Sequence, residues 1–129
     1  SSAASDVYKR QALDTVEKLR TLKETVGDGA HFHVIFDPVN VLTAENVDNQ
    51  DALWPAWCEV IGKDLAAVHV KDAVLHPDAP RTPTALGAGQ MDYTVIREWL
   101  HRGHPTAALL RDEVILPVAQ EDLAYMRTL

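Results

Sequence analysis

Apolar residues recur along this chain in two rhythms. Leu13, Val16, Leu19, Leu22 and Val26 are spaced by three or four, which places them on one face of a helix over Ala12–Val26. Gly27 is suited to end that helix in a left-handed cap, whereas its start shows no capping signal. The next run, HFHVIF (His31–Phe36), is continuous, β-branched and aromatic, and it stops at Asp37-Pro38. That pattern predicts a buried strand leaving into a loop. Helical spacing returns at Leu53, Trp54, Trp57, Val60 and Ile61, with Gly62 as the stop. Pro55 must then sit near the start of that helix or kink it. LAAVHV (Leu65–Val70) predicts a second buried strand. A Pro- and Gly-rich loop from His76 to Gln90 leads to Asp92, an expected N-cap for a helix over Tyr93–Arg102. Val95, Ile96, Trp99 and Leu100 form the core face of that helix. TAALL (Thr106–Leu110) predicts a third strand ending in Arg111-Asp112-Glu113. A last helix over roughly Val118–Leu129 turns Leu123, Tyr125 and Met126 inward.

The order is a helix followed by three strand–helix units. Alternation of this kind implies an α/β fold with parallel pairing, and wholly apolar strands imply cover on both faces of the sheet. Three parallel strands make a thin domain, so they read as part of a larger sheet. The opening SSAASDVYKRQ fits neither rhythm. One permitted codon choice turns Ser1–Gln11 into a transposase adapter used in preparing sequencing libraries. Residues 1–11 are therefore read as an artefact, and the native domain as residues 12–129.

Charge and composition narrow the function classes. The net charge is −7, and it becomes −8 without Asp6, Lys9 and Arg10, a balance that repels nucleic-acid phosphates. A hydrophobic share of 47% is ample for a packed core and argues against disorder. Cys58 stands alone, which fits a reducing, cytoplasmic setting, and no apolar run approaches membrane-spanning length. No membrane or nucleic-acid partner is expected.

In α/β architectures chemistry gathers at the carboxyl ends of the strands. Here those ends supply Asp37 and Asn40, then His69, Lys71 and Asp72, then Arg111, Asp112 and Glu113. A carboxylate, an imidazole and a further carboxylate on neighbouring strand ends suit one divalent ion such as Mn²⁺, Co²⁺, Mg²⁺ or Zn²⁺. Each also has a plainer reading: Asp37 as turn chemistry before Pro38, His69 as a satisfied core residue, and Asp112 and Glu113 as solvated ends. Lys71 shares a strand face with His69, where its cation can hold a substrate oxygen or phosphate. Gly87-Ala88-Gly89 lacks the strand-turn-helix setting of a dinucleotide loop. Cys58, in mid-helix, reads as packing, and so do Trp54, Trp57 and Trp99.

VIFDPVNVL (Val34–Leu42), AVHVKDA (Ala67–Ala73) and LGAGQMDY (Leu86–Tyr93), in this order with helices between them, carry a family likeness. The chain resembles the sugar phosphate isomerase/epimerase group with the xylose isomerase-like TIM barrel, over essentially Ala12–Leu129. The resemblance implies a (β/α)8 barrel of roughly 250 residues. The chain would be its C-terminal part, strands six to eight, with strands one to five lying upstream of Ala12. Asp37 and His69 match two of the family's metal ligands. A third, which also acts as acid/base, falls on Asp112 by position or on Glu113 by residue type, and both stay open. Asn40 occupies the place of a substrate-contacting polar residue, and Arg81, in the loop after strand seven, is placed to play a similar part. The implied reaction is proton transfer next to a carbonyl of a sugar or sugar phosphate, with the metal stabilising an enediolate. The resemblance leaves room for a homo-oligomeric parent.

Two other functions compete with this reading. One is a metal-dependent phosphodiesterase of the endonuclease four type on the same barrel, against which the acidic charge argues. The other is a non-catalytic sugar- or metal-binding module. The polypeptide of 129 residues, lacking five strands, is itself expected to be inactive.

Overall fold

The computed structural model describes residues 14–27, 32–111 and 115–129. Helix α1 spans Val16–Val26. Contrary to the sequence expectation its start is capped: Thr15 is extended and its hydroxyl accepts the Lys18 N–H at 3.2 Å. Gly27, at φ 72°, closes the other end by donating its N–H to the Lys23 carbonyl at 3.1 Å. Strand β1 is short, Val34–Phe36, and runs through Asp37 into a 3-10 turn, Pro38–Val41.

Helix α2 covers Gln50–Ile61 and carries Pro55 in its second turn rather than near its start. The proline deprives the Asp51 carbonyl of its helical donor, and Asp51 is exposed, so water can replace the bond. Strand β2, Leu65–Val70, has the predicted bounds. The expected loop after it contains a β-hairpin, β3 (Ala73–His76) against antiparallel β4 (Ala79–Pro83). Helix α3 follows over Thr94–Gly103, strand β5 over Ala108–Arg111, and helix α4 over Ala119–Met126. The N-cap of α3 is Tyr93 rather than the expected Asp92, and Asp92, one residue earlier, accepts the Thr94 N–H at 2.9 Å. Bonds from the Thr94 hydroxyl and N–H hold the Asp92 carboxyl below the usual carboxylate range.

The main sheet has the order β1-β2-β5, with both pairs parallel. Phe36 pairs with Val68, and Val68 with Leu109, so these three share one face. Helices cover that face. Phe36 stacks on Trp57 of α2 at 5.7 Å and meets Trp54 and Trp99 edge-on at 6.0 and 6.4 Å. Leu19 of α1, Ile61 of α2 and Ile96 of α3 are fully buried in the same core. All three tryptophans are structural, as their helical spacing suggested. Cys58 is buried beside them, and burial pushes its thiol up to about 12.

The other face carries Ile35, Ala67, His69, Ala108 and Leu110. Ile35 is 45% exposed and Leu110 47%, so this face is not covered by the described residues. In α4 the inward side differs from expectation: Leu123 is 49% exposed, whereas Asp122 is buried. The fold is mixed α/β with a small parallel sheet. Among the described residues no helix is long and apolar enough to cross a membrane.

Candidate functional site

The carboxyl ends of β1 and β2 place four of the expected residues together. Asp37 is the first residue after β1, and its Oδ1 accepts the Asn40 N–H at 3.3 Å across the 3-10 turn. This is the turn chemistry foreseen for an Asp before Pro, and it orients the carboxylate. Its Oδ2 lies 2.8 Å from Lys71 Nζ and 3.6 Å from His69 Nδ1. Lys71 Nζ also donates to Asn40 Oδ1 at 3.3 Å. The Lys71 side chain is 5% exposed, that of Asp37 16% and that of His69 32%. The ammonium therefore sits beneath the site, while the imidazole reaches solvent.

A second layer holds Lys71 in place. Tyr93 Oη accepts the Lys71 N–H at 3.0 Å and donates to the Lys71 carbonyl at 2.8 Å. Burial raises the Tyr93 hydroxyl well above its ordinary range, which keeps it a donor. The next residue, Asp72, is buried and collects four backbone N–H groups. Ala73 and Met91 donate to Oδ1 at 2.8 and 3.0 Å, and Gly87 and Gly89 to Oδ2 at 2.8 and 3.1 Å. The glycine loop is thus wrapped on an internal anion, so its amides at Gly87 and Gly89 are spent on a carboxylate. Those two amides are therefore not turned toward a phosphate.

Below β5, Arg111 Nε donates to Asp122 Oδ2 at 2.9 Å, and its terminal nitrogens reach the Val70 and Thr84 carbonyls at 3.3 and 3.4 Å. Asp122 Oδ1 accepts the Leu86 N–H at 2.8 Å. Gln50 ties the same loop to α2, accepting the Asp92 N–H at 2.8 Å and donating to the Gln90 carbonyl at 2.7 Å. Asp122, Tyr93 and Gln50 do not stand out in the sequence, and Asp72 is placed at a strand end without a role. Asp72 had one available signal, a carboxylate next to Lys71 at a strand end. Arg81 lies on β4, in the separate two-stranded sheet. Asp112 and Glu113 lie outside the described residues.

Asp37 and His69 fit a divalent metal in donor type, a hard oxygen beside an imidazole nitrogen. Their 3.6 Å separation can be spanned by two bonds of about 2.1 Å each. Among the described residues no third His, Cys, Asp or Glu joins them. A cleft of about 730 Å³ opens elsewhere, between α1 and the carboxyl end of α2 with the turn that follows it. Its Lys23 is already bonded to Asp64 at 2.8 Å and to the Val60 carbonyl at 2.7 Å. Compared with known protein families, curated proteins and solved structures, the chain matches none.

Proposed function

We propose that the chain is the strand six to eight sector of a xylose isomerase-like barrel whose whole form is a metal-dependent sugar or sugar phosphate isomerase/epimerase. The observation that carries this reading is the meeting of Asp37, His69 and Lys71 at the carboxyl ends of adjacent parallel strands. Two features of the sheet support the barrel. Its strands are parallel and helix-covered on one face, and the opposite face is apolar yet uncovered by the described residues. Parallel sheets are stable when buried on both faces, which further strands closing into a barrel would achieve.

In this site Asp37 and His69 would hold the metal, which when bound supplies Lewis-acid polarisation of a carbonyl. Asn40 is fixed through its Oδ1 by Lys71, which leaves its amide N–H groups to donate to a sugar hydroxyl. Lys71 supplies positive charge beside the substrate oxygens. Proton transfer at the carbon next to the carbonyl falls to Asp112 or Glu113 at the end of β5. Arg81 is assigned to the substrate's polar groups.

The test is isotope exchange. The source gene upstream of the Ala12 codon is expected to encode five further strand–helix units in frame. Its full product, given Mn²⁺ and a panel of ketoses and their phosphates in D₂O, should place deuterium next to the carbonyl. Asp37→Asn and His69→Ala should each reduce uptake at least a hundredfold. Uptake unchanged in both variants would sink the proposal.

A further inference from the structure

Both oxygens of the Asp37 carboxylate are engaged. Oδ1 accepts from the Asn40 N–H, and Oδ2 holds the Lys71 ammonium at 2.8 Å while standing 3.6 Å from His69 Nδ1. The oxygen that a metal would share with His69 is therefore already neutralised by a cation of the chain itself. A dication and an ammonium on one carboxylate oxygen, in a pocket where the lysine is 5% exposed, repel strongly because little water screens them.

We propose that Lys71 is a placeholder cation, and that a divalent metal occupies the Asp37–His69 pair only by displacing the Lys71 ammonium. The inference rests on the metal reading given above and goes beyond it by making metal entry an exchange. The geometry allows such a swing. The backbone of Lys71 is pinned at both N–H and carbonyl by Tyr93 Oη, so only the four-carbon stem need move. Among the described residues Nζ also meets Asn40, exposed and at a longer 3.3 Å, so the ammonium can leave Asp37 by turning toward Asn40. Exchange also keeps Asp37 from being a partly buried, uncompensated charge when no metal is bound. Released from Asp37, the ammonium keeps its bond to the exposed Asn40, on the side where an anionic substrate group would lie.

The experiment uses the full chain of 129 residues and Co²⁺ as probe. Binding is followed by the visible absorption of Co²⁺ at fixed pH in the wild type, Lys71→Met and His69→Ala. In parallel, wild-type chain with and without saturating Co²⁺ is pulsed with acetic anhydride, and modification of Lys71 is read by peptide mass spectrometry against exposed Lys63. Lys71→Met is expected to bind Co²⁺ at least tenfold more tightly than wild type. Bound Co²⁺ is expected to raise Lys71 labelling several-fold with Lys63 unchanged.

Equal or weaker binding by a folded Lys71→Met would overturn the exchange, and so would Lys71 labelling that bound metal does not move. The labelling arm decides alone should Lys71→Met fail to fold. If Co²⁺ binds wild type and Lys71→Met equally and only His69→Ala abolishes it, the metal site stands and the exchange falls. If wild type binds Co²⁺ no better than His69→Ala does, the metal reading itself falls and takes the exchange with it.

Discussion

Gly89 packs its backbone against Asp72 and Ala73, and a β-carbon there would come within 2.6 Å of the Ala73 nitrogen as well as onto the Asp72 carboxylate. Neither neighbour can give way, because Asp72 is held by four N–H groups and Ala73 is backbone. Gly89→Ala should cost about 3 kcal/mol, from overpacking and from loosening the carboxylate cradle. Urea unfolding would show it as a lowered midpoint with unchanged slope, and an unchanged midpoint would contradict the cradle.

Cys58 predicts a response to alkali. Its thiol has an ordinary value of 9.0 and is pushed up to about 12 by burial. Between these values the unfolded chain sheds a proton that the folded chain keeps, so stability falls as pH rises, by up to about 1.4 kcal/mol per unit. Tyr93 and Tyr125 are also raised, and they add to the fall only above about pH 10. Cys58→Ala should therefore flatten the loss of stability between pH 9 and 10 in urea titrations. An equal slope in both proteins would place the alkaline sensitivity elsewhere. For single residues the sequence was legible where the role is local, such as Asp92 accepting an N–H at the start of α3. Asp72 and Asp122 were not legible, since an acidic residue at a strand end or in a first helical turn reads as solvated until its distant donors are known.

Elements show the same division. The bounds of β2 follow from its composition because it is the central strand, paired on both sides, and needs an unbroken apolar run. The β3–β4 hairpin was invisible for the opposite reason. Its second strand, APRTP, carries two prolines that remove ladder donors and read as loop, and it pairs only because β3 lies beside it. Tyr93 joins two elements, the start of α3 and the end of β2, through its pair of bonds to Lys71. Tyr93→Phe leaves a buried N–H and a buried carbonyl unpaired and should cost about 2 kcal/mol. It should also speed amide hydrogen exchange at Lys71, and protection equal to wild type would mean that the tyrosine does not hold the strand end.

For the whole molecule, the governing feature is a parallel sheet with two edge strands, β1 and β5, and an apolar face that the described residues leave open. Such a surface favours association, since edge groups and exposed aliphatics both gain by finding a partner. The chain should self-associate with rising concentration in sedimentation velocity runs. Replacing Ile35 and Leu110 together by Thr should weaken that association at least tenfold while leaving the helix-covered core intact. A chain that stays monomeric across the millimolar range would show that this face is covered in solution.

Local apolar periodicity was enough for the α/β class, the order of the main-sheet strands and their helices, and most of the helix-covered core, but not for the β3–β4 hairpin or for Leu123. The sequence also named Asp37, Asn40, His69 and Lys71, because strand ends can be located from where an apolar run stops. Only the tertiary structure decided that these four side chains touch, that Lys71 rather than solvent answers the Asp37 carboxylate, and that Asp72 closes the glycine loop. Those outcomes depend on strand register and on donors 15 to 34 residues away in the chain, distances over which the one-dimensional pattern carries no information about contact.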